Sequence, residues 1–226
     1  MKPLYIIHGW TYSTEPWKKT LDILKSDGFE VKMLHVPGLT TPSEKIFTID
    51  DYVKWADSLL PDDAIVLGHS NGGRILLNLC SKRGRNFKKI ILLSSAGVYE
   101  KSRKRDILRF VSKLGAPLKR SKFLRKVFHK LIGASDYDHA PENMKKTLEN
   151  MLSSDKNLDL SKITEKVTIL WGEKDTVTPL RQGKILHEKI KGSTLKTFPN
   201  WTHAPYISDP EGLAKALEEI LREEEK

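Results

Sequence analysis

Three short segments of the sequence contain a serine, an aspartate and a histidine in an order suited to nucleophilic catalysis. Residues 68–73 read GHSNGG and place Ser70 between an apolar run at 64–67 and a helical pattern. Asp175 follows a second apolar run, and His203 follows a third. A serine hydroxyl is a weak nucleophile unless a histidine takes its proton and a carboxylate orients that histidine. The three residue types therefore predict acyl-transfer chemistry.

The segment 68–73 predicts a sharp turn between a strand and a helix. Gly68 and Gly72 leave room where a Cβ would collide with the adjoining strand or helix. Such a turn lifts the Ser70 hydroxyl to the top of the sheet. It also places the backbone N–H of Asn71 at a helix N-terminus, where this group is expected to stabilise an oxyanion.

The loop after the first apolar run, residues 8–10 (HGW), is expected to complete the site. We expect the N–H of Trp10 to be the second oxyanion donor, with its indole bordering the pocket. Gly9 is expected to let the backbone approach a substrate closely. His8 and His69 lie in strand-end motifs, and we expect them to orient loops rather than act as bases.

The same residues also permit structural interpretations. Ser70 could be an ordinary turn serine, Asp175 a surface-loop aspartate and His203 a packed loop histidine. Asp155 and Asp209 are rival candidates for the acid. Asp209 precedes a proline, which is more typical of a residue that starts a helix.

The elements that must position these residues alternate along the chain. Apolar runs predict strands at 4–7, 29–34, 64–67, 89–94, 167–171 and 194–198. Helical periodicity predicts helices at 15–26, 49–60, 74–81, 179–191 and 211–224. This alternation predicts an α/β fold with a mostly parallel sheet covered on both faces, and with Ser70, Asp175 and His203 on one rim. On the helix after the GHSNGG turn, Arg74 is expected to be a surface charge and Cys80 a buried apolar residue.

The alternation stops after residue 97. Helical patterns alone follow at about 103–114, 121–132 and 141–152, and they predict a helical lid inserted over residues 97–160 of a single 1–226 domain. Apolar stripes on the first two of these helices would line an acyl pocket. The stripes are Ile107, Phe110, Val111 and Leu114, then Leu124, Val127, Phe128, Leu131 and Ile132.

The predicted lid carries the net charge of +10. Residues 97–133 hold 12 lysines and arginines against two acidic residues, so the other residues carry 27 of each sign. The basic stretch permits three interpretations: a solvated outer face, a patch for an anionic membrane surface, or a recruiting site for an anionic substrate such as an acyl-thioester cofactor. No recognition motif accompanies the charge, so we expect no nucleic-acid partner.

Composition excludes several other classes of protein. The single Cys80 permits no internal disulfide and no cysteine-based zinc site. The chain has no apolar run long enough to cross a bilayer, and the apolar stretch near its N-terminus is too short for a signal peptide. We therefore expect a cytoplasmic protein.

Taken together, these motifs resemble the α/β-hydrolase superfamily, especially its small single-domain hydrolases with a helical lid. The resemblance is carried, in the family's order, by residues 8–9 (HG), 68–73 (GHSNGG), 170–175 (LWGEKD) and 203–205 (HAP). Members usually have two strands before the His-Gly strand, and this sequence begins at that strand. We therefore expect a sheet of about six strands.

The resemblance implies Ser70 as nucleophile, His203 as base and Asp175 as its orienting acid. It implies a serine esterase, a carboxylesterase or lipase-like enzyme, that cleaves a small-molecule ester with an apolar acyl group through an acyl-enzyme. This chemistry requires no metal and no organic cofactor. Thioesterases and carbon–carbon bond hydrolases use the same three residues. A non-catalytic ligand-binding protein on this fold is also compatible with the sequence.

Overall fold

The structure is a computed structural model that describes residues 2–99 and 140–223. These residues form one six-stranded sheet. Its strands are β1 (Leu4–Ile7), β2 (Val31–Leu34), β3 (Ile65–His69), β4 (Lys89–Leu93), β5 (Val167–Gly172) and β6 (Thr194–Phe198). The number of strands and the α/β-hydrolase architecture agree with the sequence-based prediction.

All of these strands run parallel, in the order β2-β1-β3-β4-β5-β6. The register pairs His69 at the end of β3 with Leu93 at the end of β4. Leu93 pairs in turn with Leu170 in β5. Because parallel strands finish at the same edge, the loops after β3, β4, β5 and β6 lie side by side, and ligand sites form at this edge of open α/β sheets.

Helices cover both faces of the sheet. They are α1 (Lys18–Ser26), α2 (Ile49–Leu59), α3 (Asn71–Arg83), α4 (Glu142–Ser154), α5 (Leu180–Lys189), α6 (Pro205–Ser208) and α7 (Pro210–Glu223). Single 3₁₀ turns occur at Glu15–Trp17, Asp155–Asn157 and Leu160–Lys162. None of the helices in the described ranges is long and apolar enough to cross a membrane.

Two apolar layers form the core, one on each face of the sheet. In β4, Ile90 and Leu92 belong to the layer under α2, α3, α4 and α5, whereas Ile91 and Leu93 belong to the layer under α1 and α7. This alternation follows from the two-residue period of a strand. Burial on both faces explains why β3, β4 and β5 are mostly apolar in the sequence and lack strict alternation.

Helix α4 packs into the core beside α2. Met144, Leu148 and Met151 are buried in the same apolar layer as α2 and α3. The Thr147 hydroxyl accepts the Phe47 N–H at 2.9 Å, so α4 also holds the loop before α2.

The helices predicted at about 103–114 and 121–132 lie outside the described residues. The lid over 97–160, its contacts with substrate or membrane, and the cytoplasmic location therefore stay predictions.

Candidate active site

Ser70 lies in a sharp turn between β3 and α3. It is the residue before α3 begins, its φ is +49°, and its side chain is buried. A positive φ in a residue with a Cβ is strained and requires support from the surrounding chain. That support includes the Ser70 N–H, which donates to the Leu93 carbonyl at 3.1 Å, and the Ser70 carbonyl, which accepts the Ala96 N–H at 2.9 Å. The β4 loop thus holds the serine turn from one side.

Glycines permit the close contacts around this turn, as the sequence predicts. A Cβ on Gly72 would collide with the Ile7 carbonyl of β1. A Cβ on Gly68 would lie 2.6 Å from the Gly73 Cα, at the start of α3. Both contacts are too short for real carbon atoms. The strand and the helix can therefore come this close only if the two positions carry no side chain.

The structure brings Ser70, His203 and Asp175 into one hydrogen-bonded row. His203 Nε2 lies 3.0 Å from Ser70 Oγ, and His203 Nδ1 lies 2.9 Å from Asp175 Oδ2. The carboxylate only accepts, so the ring proton belongs on Nδ1, and Nε2 presents its lone pair to the serine hydroxyl. A histidine oriented in this way can remove the proton from Ser70.

Asp175 is an anion held in a closed environment. Its side chain is fully buried, and its Oδ1 accepts the backbone N–H groups of Val177 and Thr178 at 2.8 and 2.9 Å. Burial acts to raise the pKa of the Asp175 carboxyl. The hydrogen bond and charge of His203 and the donors of Thr178 outweigh burial, so this pKa lies below its usual value. The carboxylate is therefore charged at neutral pH.

His69 supports the backbone of the His203 loop. Its Nε2–H donates to the His203 carbonyl at 2.9 Å. The rings of Tyr206 and Trp17 pack edge-on against it, with centroids 5.1 and 5.8 Å away. Burial, the strongest influence, lowers the pKa of His69 to about 3. The ring is neutral at ordinary pH and points its donor at a loop, as expected of an orienting residue.

His8 joins the loops after β1 and β2. Its Nδ1–H donates to the Gly9 carbonyl at 2.8 Å, and its Nε2 accepts the Thr40 hydroxyl at 2.9 Å. Burial lowers the pKa of His8 to about 4, so the ring is neutral and can keep accepting that bond. A Cβ on Gly9 would lie 2.8 Å from the His69 ring and 3.1 Å from the Ser70 Cβ. Gly9 therefore lets the β1 loop run directly beside the serine turn.

One expected oxyanion donor, Asn71, follows Ser70 directly, and the other, Trp10, belongs to the β1 loop that runs beside the turn. Asn71 is the first residue of α3, where a backbone N–H has no intrahelical acceptor. Trp10 follows Gly9, which borders Ser70. The indole of Trp10 belongs to the buried core, and its Nε1 is buried without a hydrogen-bond partner among the described residues. The oxyanion role of both N–H groups stays a prediction.

The prediction for Arg74 is wrong. Arg74 is only 4% exposed and forms a two-bond ion pair with Asp155, with Nε–Oδ1 and Nη2–Oδ2 distances of 2.7 and 3.0 Å. Its Nη1 also donates to the Asn71 side-chain oxygen at 2.6 Å. The physical reason is burial, because α3 is covered over its first ten residues and an enclosed guanidinium requires a partner. Asp155 thus pairs with Arg74 and not with the histidine.

Asp209 and Cys80 have structural roles. Asp209 accepts the Gly212 N–H at 3.1 Å and the Trp201 indole N–H at 2.8 Å, so the helix-start interpretation is confirmed. Cys80 is buried, as predicted, and burial raises the pKa of its thiol. Within residues 2–99 and 140–223, no cluster of three or more histidine, cysteine or acidic side chains could hold a metal ion.

Sequence reasoning did not identify the partners of the site. Arg74 and Thr178 both contact its residues. The residues after Arg74 contain a partial signal, because Ile75, Leu76, Leu77 and Leu79 are apolar on more than one side of the helix and so indicate broad burial of α3. Thr178 lay three residues beyond Asp175 in the same loop, which is within reach of a carboxylate. Asp155 carried no such signal, since it is 81 residues from Arg74.

Comparisons with known proteins agree with this architecture. The chain is 24% identical to a pimeloyl-[acyl-carrier protein] methyl ester esterase from Aromatoleum aromaticum, over 97% of this chain and 98% of that protein. A bromoperoxidase from Bacillus anthracis superposes with a TM-score of 0.72 at 21% identity, over 98% and 92% of the two chains. An esterase from Exiguobacterium antarcticum superposes with a TM-score of 0.66 at 19% identity, with the same coverage.

These two solved structures share the fold of this chain. Their different names illustrate that one fold carries different chemistries, so function must be argued from the site. The sequence also matches the family described as the alpha/beta hydrolase fold over residues 2–210. With nearly the whole chain matched, and with the six parallel strands and flanking helices described above, the protein belongs to the α/β-hydrolase family.

Proposed function

We propose that this protein hydrolyses carboxylic esters through an acyl-enzyme, with Ser70 as nucleophile, His203 as base and Asp175 as the acid that orients it. The observation that carries the proposal is the continuous hydrogen-bonded row of 3.0 and 2.9 Å that joins the three side chains. The position of Ser70 in a strained turn at a helix N-terminus supports it. The coarser function, ester hydrolysis, has further support in the esterases to which the chain is similar.

The geometry suggests a two-stage reaction. His203 Nε2 takes the Ser70 proton while Oγ attacks the ester carbonyl carbon, and the carbonyl oxygen becomes an oxyanion. The N–H groups of Trp10 and Asn71 are the proposed donors to that oxyanion. The imidazolium, stabilised by Asp175, then protonates the departing alkoxide and leaves an acyl-serine. Water, deprotonated by His203, attacks this ester and releases the acid, and the proton returns to Ser70.

The substrate class depends on features beyond these three residues. Thioesters and activated carbon–carbon bonds would use the same residues, and a non-catalytic ligand-binding protein would retain the fold. Among esters, a methyl ester of an acyl group attached to a carrier is favoured by two observations. One is the activity for which the Aromatoleum aromaticum relative is named, and the other is the excess of ten positive charges in residues 97–133, which suits an anionic carrier.

Hydrolysis of a p-nitrophenyl ester series from acetate to palmitate tests the proposal. The wild type is expected to turn over at least one of these esters, and Ser70→Ala is expected to lose this turnover. The preferred chain length would measure the acyl pocket. Equal turnover by both proteins would refute the role of Ser70. If both are inert, a fluorophosphonate probe decides, because labelling of the wild type but not of Ser70→Ala still requires an activated serine.

Carrier attachment is tested separately. Methyl esters of one acyl chain, free and attached to an acyl-carrier protein, are compared at low and high salt. We expect a lower KM for the attached ester than for the free ester at low salt. This difference should disappear at high salt, because salt screens the attraction between the basic residues and the anionic carrier. Equal KM values for the two esters at low salt would exclude recognition of the carrier.

A further inference from the structure

The hydroxyl of Thr178 lies at the junction between the acid and the histidine. Thr178 Oγ1 is 2.8 Å from Asp175 Oδ2, 3.1 Å from His203 Nδ1 and 3.1 Å from the Ser94 carbonyl oxygen. The side chain is buried, with only 4% of the residue exposed. A buried hydroxyl in contact with two of the three reacting side chains is well placed to influence how they meet.

A hydroxyl has one proton, so it can donate to only one of its two oxygen neighbours at a time. Asp175 Oδ2 is the nearer acceptor and carries negative charge, whereas the Ser94 oxygen is a neutral carbonyl. Hydrogen bonds to charged acceptors are the stronger ones. The Thr178 hydroxyl therefore donates its hydrogen bond to the carboxylate of Asp175. A lone pair of Oγ1 is left to face the Nδ1–H of His203.

The two oxygens of Asp175 are held in different ways. Backbone N–H groups of Val177 and Thr178 hold Oδ1. Oδ2 is the oxygen that accepts from His203, and within the described ranges its other donor is the Thr178 hydroxyl. Without that hydroxyl, His203 would be the one remaining donor to Oδ2 among the described residues, and the carboxylate would be oriented by this bond and by the two bonds to Oδ1.

We propose that Thr178 is a positioning residue, whose hydroxyl fixes Asp175 Oδ2 and the His203 ring in the orientation that brings Nε2 to Ser70. This inference rests on the proposed function, since it assigns a role within the same row of side chains. Thr178 would act through Asp175 and His203, so its loss would slow the chemical steps and leave substrate binding nearly unchanged.

The hydroxyl also limits the charge that His203 experiences, because it shares the negative charge of Oδ2. Among the described residues, the other groups with contacts to the His203 ring are Ser70 and, with ring centroids 5.0 Å apart, His69. Burial lowers the pKa of His69 to about 3 and raises the pKa of the neighbouring Tyr206 to about 12, so both stay neutral from about pH 5 to 9. A change in the acid limb of the rate profile would therefore report on the His203–Asp175 pair.

The test compares Thr178→Val with Thr178→Ser. Valine has nearly the shape of threonine and keeps the backbone N–H that binds Oδ1, but it lacks the hydroxyl. We expect kcat of Thr178→Val to fall about 10- to 100-fold with KM within about twofold, which is less than the loss of about 10⁴-fold typical when the acid itself is disabled. We expect the acid limb of kcat/KM to move to higher pH, since the greater negative charge left on Oδ2 favours the protonated ring and outweighs the loss of the neutral Oγ1 lone pair facing Nδ1–H. Thr178→Ser should restore both values.

A matched control is Thr20→Val. Thr20 is also fully buried, and its hydroxyl donates to the Pro210 carbonyl at 3.3 Å between α1 and α7, outside the site. This variant should have the wild-type kcat and pH profile even if its melting temperature falls. The comparison separates the loss of any buried hydroxyl from the loss of this one.

Three results would overturn the inference. A Thr178→Val protein with lowered stability but wild-type kcat and acid limb would reduce Thr178 to a structural role. An acid limb that moves to lower pH would mean that the hydroxyl donates to Ser94 and not to Asp175. If no ester is turned over, the rate of fluorophosphonate labelling is measured against pH in place of kcat. The third result would be identical labelling rates in wild type and Thr178→Val at every pH. Failure of the proposed function is distinguishable, because Ser70→Ala would then retain turnover or labelling, or the wild type itself would show neither.

Discussion

Two serines at the carboxyl edge of the sheet share the same backbone feature. Ser70 follows β3 and Ser94 follows β4, and the residues before them, His69 and Leu93, are partners in the parallel register. Both serines have positive φ, +49° and +44°, and both are buried. Yet Ser70 Oγ is hydrogen bonded to His203, whereas Ser94 Oγ has no partner among the residues that the structure describes.

The two turns differ in the element that begins after the serine and in the side chain that faces it. The chain after Ser70 enters α3 through Gly72 and Gly73, and this geometry puts a helix N-terminus at the serine. No helix begins at Ser94 within the described residues. The loop after β6 brings His203 to Ser70. The comparison therefore predicts that a strained serine turn is not sufficient for nucleophilic chemistry, which also requires a facing base and donors for the developing charge.

Alanine substitution at each serine is expected to separate the two turns most strongly. Ser70→Ala should lower kcat/KM for a p-nitrophenyl ester by at least about 10³-fold, because the proposed nucleophile is removed. Ser94→Ala removes a hydroxyl without a partner among the described residues and should stay within about threefold of wild type. Mass spectrometry after fluorophosphonate treatment should find the label on Ser70. A label on Ser94, or an equal loss of turnover in both variants, would contradict the comparison.

The ion pair beneath the Ser70 turn is expected to have the next largest effect. Arg74→Met leaves the Asp155 charge buried without its partner, which typically costs about 3–5 kcal/mol of unfolding free energy. Denaturant unfolding measures this cost. The double variant Arg74→Met with Asp155→Leu should recover much of it, since apolar residues often replace buried ion pairs without loss.

The exposed pair formed by Lys18 and Asp22 is the control for this prediction. Lys18→Ala should not change stability measurably, because solvent screens surface charges. If Arg74→Met were as stable as Lys18→Ala, the buried pair would not support the serine turn.

Acid stability should also distinguish the two strand ends, since His69 precedes one serine and Leu93 the other. The pKa of His69 falls from its ordinary value of 6.5 to about 3 on folding. From pH 6.5 down towards 3, the unfolded chain binds a proton that the folded chain does not. The unfolding free energy therefore decreases as the pH is lowered over this range, by about 1.4 kcal/mol per pH unit for each such proton. His8, with a pKa of about 4, adds to the same trend down to that pH.

His69→Leu makes the end of β3 resemble the end of β4. The pH slope of its unfolding free energy between about pH 6 and 4.5 should be smaller by up to one proton, whatever its stability at pH 7. Denaturant unfolding at several pH values measures this slope. His8→Gln should reduce it in the same way. A wild-type slope in both variants would mean that neither histidine is kept neutral by burial.

The smallest expected effect is that of Ser94→Gly. Glycine adopts a φ of +44° without strain, and the substitution removes a hydroxyl that is buried without a partner among the described residues. The greater freedom of glycine in the unfolded chain opposes these gains. We expect the unfolding free energy to stay constant or to rise by up to about 1 kcal/mol. A fall of more than about 1 kcal/mol would show that the Ser94 hydroxyl has a partner after all.

Much of the fold was predictable because its signals are local. The predicted bounds of β1 (4–7) and β6 (194–198) agree with the structure, since each strand is a short apolar or alternating run between turn residues. The prediction that β2 begins at residue 29 was wrong by two residues. Its start at Val31 is set by pairing with Leu4, while Phe29 packs into the core ahead of the strand. The partners of a strand are remote in sequence. A strand boundary that is set by pairing therefore cannot be predicted from the apolar run of that strand alone.

The residues of the candidate site differ in how well their positions could be predicted from local sequence. Ser70 stands in a local motif whose glycines and flanking elements predict the turn, whereas His203 and Asp175 were inferred from strand-end positions and family resemblance. Arg74 was misjudged because helical periodicity describes one helix and says nothing of the elements that cover it. The 97–160 lid and the oxyanion roles of Trp10 and Asn71 stay predictions.

The sequence by itself determined the elements and the turn, because strand burial, helix periodicity and the glycines around Ser70 are properties of neighbouring residues. The tertiary structure alone decided which histidine faces Ser70, which aspartate holds that histidine and which acid neutralises Arg74. These choices depend on contacts between segments 28 to 133 residues apart. Only the strand order and register of the sheet bring such segments to one edge, and no local pattern records that arrangement.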